Sequence, residues 1–165
     1  MQQVSSARGV GDELDGVVDG VLRASRALVA VAARSIADVD DAVTLPQFRT
    51  LVALASKGPQ KVGALADELG VHASTATRMC DRLVRRGLID RGTSLASRRE
   101  VIVRLTVEGS NLLSRVTEAR RRAIRNIVAK VPPRSRATMI GALQAFSDAA
   151  GEVPDQAWAV GWDGV

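Results

Sequence analysis

From Asp12 to about Asp38 the chain repeats apolar side chains every three or four positions: Leu14, Val17, Val18, Val21, Leu22, Leu28, Val29, Val31, Ala32 and Ile36. That spacing follows the 3.6-residue turn, and Arg23, Arg26 and Arg34 fall on the polar side, so the pattern predicts one long amphipathic helix. Residues 1–11 lie ahead of it and are expected to be flexible. "TLPQF" comes next, where Thr44 and Gln47 are spaced for a capping box. Pro46 suits a first turn, in which its missing N–H would have had no partner. The helix it opens covers about 45–56 and stops at Gly58 and Pro59.

"KVGALADELGVHASTATRMCDRLVRRG" reads as two helices joined by a tight turn. Leu65, Leu69 and Val71 supply the inner face of the first helix and turn, and Ala76, Met79, Leu83 and Val84 that of the second. Ala66 is small enough for a close crossing, and Gly70, four positions on, can take the left-handed conformation the turn requires. This is helix-turn-helix spacing. A short apolar strand at 88–91, a polar loop at 92–100 and the β-branched "VIVRL" at 101–105 form a hairpin whose tip carries Arg98 and Arg99. A basic hairpin directly after a helix-turn-helix defines a winged helix.

Beyond the hairpin, Thr106 is placed to cap a helix over 107–130 with Leu112, Leu113, Val116, Ala119, Ala123, Ile124, Ile127 and Val128 on one face. "VPPRS" breaks it, and 136–149 resumes a helix with Met139, Ile140, Leu143 and Phe146. The apolar faces at both ends exceed what a small winged lobe can cover, so mutual burial in a homodimer is the simplest solution. The chain therefore divides into a flexible start (1–11), an N-terminal dimerisation helix (12–43), a winged helix-turn-helix domain (44–106), C-terminal dimerisation helices (107–150) and a tail (151–165). The fold class is mainly α with a small β-hairpin wing. Trp158 and Trp162 in the tail are expected to dock onto the dimer, the alternative being that they line a ligand cleft.

Composition agrees with helices around an aliphatic core: 46% of the 165 residues are hydrophobic, but only 2% are aromatic. The charge distribution points to a partner. Residues 73–104 hold eight arginines against Asp81, Asp90 and Glu100, while the remainder holds 15 basic and 15 acidic residues, so the net +5 is carried by one fifth of the chain. Concentrated positive charge of this kind is the footprint of a polyanion-binding surface. Enzymatic readings lack material: one His, one Cys, no Gly-rich phosphate loop, and no acid pair or Cys/His set spaced for catalysis or zinc. No catalytic residue, metal or cofactor is expected. Cys80 falls on or beside the inner face of the second helix, where it acts as a small buried hydrophobe. "RRR" at 120–122 reads as a solvated helix face. With no secretion signal or membrane-length apolar run, the expected location is the cytoplasm.

"TLPQFRTLVAL", "VGALADELGVHASTATRMCDRLVRRGLIDR" and "SRREVIVRLTVEG" resemble the multiple antibiotic resistance regulator (MarR) family of dimeric winged-helix transcription regulators. The resemblance runs from about Thr44 to Gly109 and more loosely over the flanking helices. It implies a homodimer on double-stranded DNA, acting as a repressor at a palindromic operator, with release by a small effector, often a phenolic or aromatic acid. It also implies a ligand cleft, for which Arg23, Phe48 and Leu51 are candidates. The family's wing usually carries Asp-Arg-Arg or Asp-Lys-Arg, and Ser97 stands where that Asp would be. By position Arg99 is the minor-groove residue and Arg98 its support.

A recognition helix reaches base edges with its N-terminal residues. Ser74, Thr77 and Arg78 are therefore assigned to bases, and Thr75, Arg82 and Arg85 to phosphates; the competing role for Arg82 and Arg85 is surface pairing with Asp81 or Asp90. His72, at the helix start, is expected to project into solvent. A winged-helix module that binds acidic proteins rather than DNA is the alternative function.

Overall fold

The computed structural model describes residues 3–93 and 101–152, with the backbone alone for 3–10. In order, the described elements are α1 (Gln3–Ala37), α2 (Leu45–Lys57), β1 (Gln60–Lys61), α3 (Val62–Leu69), α4 (Ala73–Arg85), β2 (Ile89–Thr93), β3 (Val101–Leu105), α5 (Val107–Val128) and α6 (Pro133–Ala149). The mainly α fold with a small β wing is as the pattern predicted.

Two boundaries differ from the sequence reading. Helix α1 starts at Gln3, nine residues ahead of Asp12, where the apolar period begins. No proline stops it, and a nucleated helix gains one backbone bond for each residue added. Helix α6 starts at Pro133 because a proline fits the first turn, where no N–H is required.

The sheet also has a member that the apolar pattern could not reveal. Two-residue β1 pairs antiparallel with β3 (Gln60 opposite Val103, Lys61 opposite Ile102), giving the order β1-β3-β2. Strands β2 and β3 pair from Ile89–Leu105 to Thr93–Val101. A strand this short has no alternation of its own, since its register is supplied by β3.

The core lies where α2, α3 and α4 meet the sheet and the first half of α5. Leu51, Leu54, Leu65, Leu83, Ile89, Val103 and Val116 are fully buried there. The last part of α1 reaches this core through Ile36, and Val31, one turn earlier, is buried as well. Thr44 and Gln47 form the capping box of α2, with Gln47 Oε1 accepting the Thr44 backbone N–H at 2.9 Å. Thr106 Oγ1 accepts from the Gly109 N–H at 3.0 Å, which caps α5, and donates to the Gly87 carbonyl at 2.6 Å. That second bond ties the start of α5 to the corner after α4.

Gly109 sits at the tightest approach in this corner. A Cβ there would lie 2.1 Å from the Leu88 carbonyl oxygen and 2.8 Å from Leu105 Cδ1. Only glycine lets α5 cross so close to the backbone that joins α4 to the wing.

Helix α6 and the first half of α1 have no comparable cover. No residue of α6 is buried, and Leu14 and Phe146 are 62% and 54% exposed.

Candidate nucleic-acid interface

Helix α4 is set by the turn before it. Gly70 ends α3 in the left-handed conformation (φ 64°, ψ 38°), and the Val71 N–H bonds to the Ala66 carbonyl at 2.9 Å. Ala66 is buried at this crossing. His72 precedes the helix with extended backbone, its side chain exposed and making no cap bond. Its carbonyl accepts the N–H groups of Thr75 and Ala76.

Ala76, Met79, Cys80 and Leu83 are buried on the inner side of α4. Val84 is half-buried. Burial pushes the Cys80 thiol above its ordinary value, with Asp81 adding to the rise and Arg91 opposing it. A neutral thiol in the core is what the packing reading anticipated.

Ser74, Thr77, Arg78, Arg82 and Arg85 are exposed on the other side, and Thr75 is half-buried at its edge. At about 100° per residue, positions 74, 78 and 85 fall on one line along the helix. Thr77 Oγ1 donates to the Ala73 carbonyl at 2.8 Å, which leaves its oxygen able to accept, and Arg78 Nε donates to the Ser74 carbonyl at 3.3 Å. The first N–H groups of the helix have no partner within it. Donors therefore line the outer face from its N-terminal end to Arg85.

Ion pairing sorts the arginines of this region into two sets. Arg86 pairs with Asp40, Arg91 with Asp81, and Arg104 with Asp90, the last at 3.0 Å. These contacts tie α4 to the α1–α2 loop, β2 to α4, and β3 to β2. Arg78, Arg82 and Arg85 make no ion pair among the described residues. The two carboxylates that might have neutralised Arg82 and Arg85 are thus held by other arginines. Exposed pairs contribute only about 0–1 kcal/mol each, so their main effect is on orientation. Sequence reasoning missed this division, because Arg86 and Asp40 are 46 positions apart.

Arg98, Arg99 and Ser97 lie outside the described residues, as do Trp158 and Trp162. The three effector-cleft candidates sit in different surroundings. Leu51 and Phe48 are 0% and 6% exposed within the core, while Arg23 is exposed on α1. Phe48 is one of two phenylalanines in a chain of small aliphatics, and the core takes up its large ring. A groove of about 240 Å³ does exist between α2, α3 and the end of the described chain, lined by Arg49, Val52, Lys57, Glu68, Leu69 and Glu152. Lys57 and Glu68 pair across it at 3.0 Å. None of the three candidates lines it.

Among the described residues no cluster of His, Cys, Asp or Glu could hold a metal. No helix there is long and apolar enough to cross a membrane.

A helix-turn-helix followed by the β2–β3 hairpin, which β1 from ahead of α3 extends to a three-stranded sheet, with uncovered helices at either end, defines a winged-helix protein. The sequence profile of the MarR family matches residues 43–101. RV1404 from Mycobacterium tuberculosis, a solved structure, is 46% identical, with a TM-score of 0.81 over 86% of this chain and 97% of that one. The chain belongs to the MarR family of winged-helix transcription regulators, whose members are not enzymes.

Curated relatives share shorter stretches. The uncharacterized HTH-type transcriptional regulators YfiV and YsmB of Bacillus subtilis are 36% and 31% identical over 39% and 52% of this chain. The matched regions cover 40% and 59% of those proteins, less than two thirds of either.

Proposed function

We propose that this chain is a homodimeric repressor that reads a palindromic operator by laying α4 of each protomer in the major groove. One observation carries the reading: the outer face of α4 presents Arg78, Arg82 and Arg85 without carboxylate partners among the described residues, while Asp81 and Asp90 are bound to other arginines. A surface arranged in this way keeps its positive charge for an external anion. Ser74, Thr77 and Arg78, at the N-terminal end, are the base-reading residues. Thr75, Arg82 and Arg85 take phosphates, and Arg98 and Arg99 of the hairpin tip reach toward the adjacent minor groove. The exposed apolar faces of α1 and α6 supply the dimer contact. A small effector that releases the dimer from DNA completes the proposal.

Selection of bound duplexes from a random pool yields the operator, and salt titration tests the binding mode. If the dimer neutralises roughly eight phosphates, log K falls with log salt at a slope near −7. Arg78→Ala should relax preference at one position in each half-site, at a cost of about 1–3 kcal/mol per contact. Equal losses on selected and random duplexes would remove the base-reading role. Absence of duplex binding at low salt, with capture of acidic proteins instead, would overturn the reading.

A further inference from the structure

Two charged stripes are left over once the DNA-facing surface has been assigned. On α1, Asp12, Asp15 and Asp19 recur at three and four residues, with Glu13 beside them and no basic residue from Asp12 to Leu22. All four acids are exposed, and none makes an ion pair among the described residues. From Arg115 to Arg136, eight basic residues accompany a single acid, Glu118. Arg121, Arg122 and Arg125 of this set share the solvent side of α5; Arg121 touches Glu118 at 4.0 Å, and the other two are unpaired among the described residues.

Both stripes border uncovered apolar surface. The acids adjoin Leu14, Val17, Val18 and Leu22, each 46% exposed or more. On α5, Arg121 and Arg125 stand three positions before half-buried Ile124 and Val128, and the helix leads into α6, which buries nothing in the protomer. Charges of opposite sign thus flank two apolar faces that need a partner. A second copy of the chain brings both complements at once, and two-fold symmetry makes each contact twice.

We infer that the acidic stripe of α1 in one protomer meets the arginine stripe of α5 in its partner, so that charge selects the copy and the register in which the apolar faces close. The inference rests on the homodimer proposed above and adds a specificity device to it. Apolar helix faces by themselves discriminate poorly between chains of one fold, whereas like charges brought together reject a wrong partner.

Charge reversal tests it with the full-length chain and no DNA. One variant carries Asp15→Arg and Asp19→Arg, and the other Arg122→Glu and Arg125→Glu. All four positions are exposed, so the fold should survive, as circular dichroism would show. Each variant alone should dimerise more weakly than the wild type. Mixed, they should form the heterodimer in preference to either homodimer by about tenfold or more, since every stripe then faces its opposite and exposed pairs are each worth a few-fold. Native mass spectrometry of the mixture reads this directly. Variants that dimerise like the wild type and mix statistically would overturn the charge pairing while leaving the dimer standing. A monomeric wild-type chain would instead remove the homodimer itself. Normal dimerisation of Arg122→Glu/Arg125→Glu with loss of polyphosphate binding would overturn the inference in favour of a polyanion site.

Discussion

Replacing Gly109 by Ala probes the corner on which the geometry of the reading head depends. The new Cβ would stand 2.1 Å from the Leu88 carbonyl oxygen and 2.8 Å from Leu105 Cδ1. Ordinary contact requires well over 3 Å, so the first turn of α5 must move away by about 1 Å, or the Leu88 peptide must turn. Neither is easy: the Leu88 carbonyl also accepts the Thr106 N–H at 3.2 Å, and Thr106 holds both Gly87 and Gly109. Overpacking of this kind costs about 1–3 kcal/mol, and the backbone obstacle places this case near 3. Alanine recovers about 1 kcal/mol of helix propensity, which leaves a net loss of about 2 kcal/mol. For a chain of this size that lowers Tm by about 4–8 °C in a thermal melt. Gly63→Ala in α3 is the control, because nothing lies within 4 Å of its new Cβ and φ is not positive; it should raise Tm slightly. DNA affinity should fall with Gly109→Ala, since the same corner joins α4 to the wing. A Tm equal to or above wild type for Gly109→Ala would refute the close approach.

Two further outcomes follow from the arginine sorting and from Cys80. Arg82→Ala should weaken binding to all duplexes alike and make the salt slope shallower by about two for the dimer, one phosphate being lost at each site; a change of preference at one base would contradict the phosphate role. Alkylation of native Cys80 should stay slow through mildly alkaline pH, because burial raises its pKa and holds it as the neutral thiol. The linked effect on stability has a definite sign. The raised folded pKa contributes stability below the unfolded value, and that contribution declines as pH climbs above about 9, to be read from denaturant midpoints. Fast alkylation at neutral pH would show that the helix does not cover the sulfur.

Local pattern was sufficient for much of this molecule. The apolar period of α4 placed Ala76, Met79 and Leu83 inward and Ser74, Thr77, Arg78, Arg82 and Arg85 outward, because the helical turn alone decides which residues share a face. Gly70 announced the turn and Thr106 the cap, since each acts on backbone within four residues of itself. The same local rule marked α1 and α6 as carrying more apolar surface than the winged lobe covers.

Contacts between distant segments were another matter. Asp40 reaches Arg86 only after α1 and α2 have folded back, and β1 exists only because β3 offers it an edge. Phe48 and Leu51 are core residues because the sheet and α5 close over α2, which no spacing in α2 reveals. Which arginines remain available to a polyanion was likewise decided in three dimensions: sequence counts charges, but pairing depends on distances between side chains that lie far apart along the chain.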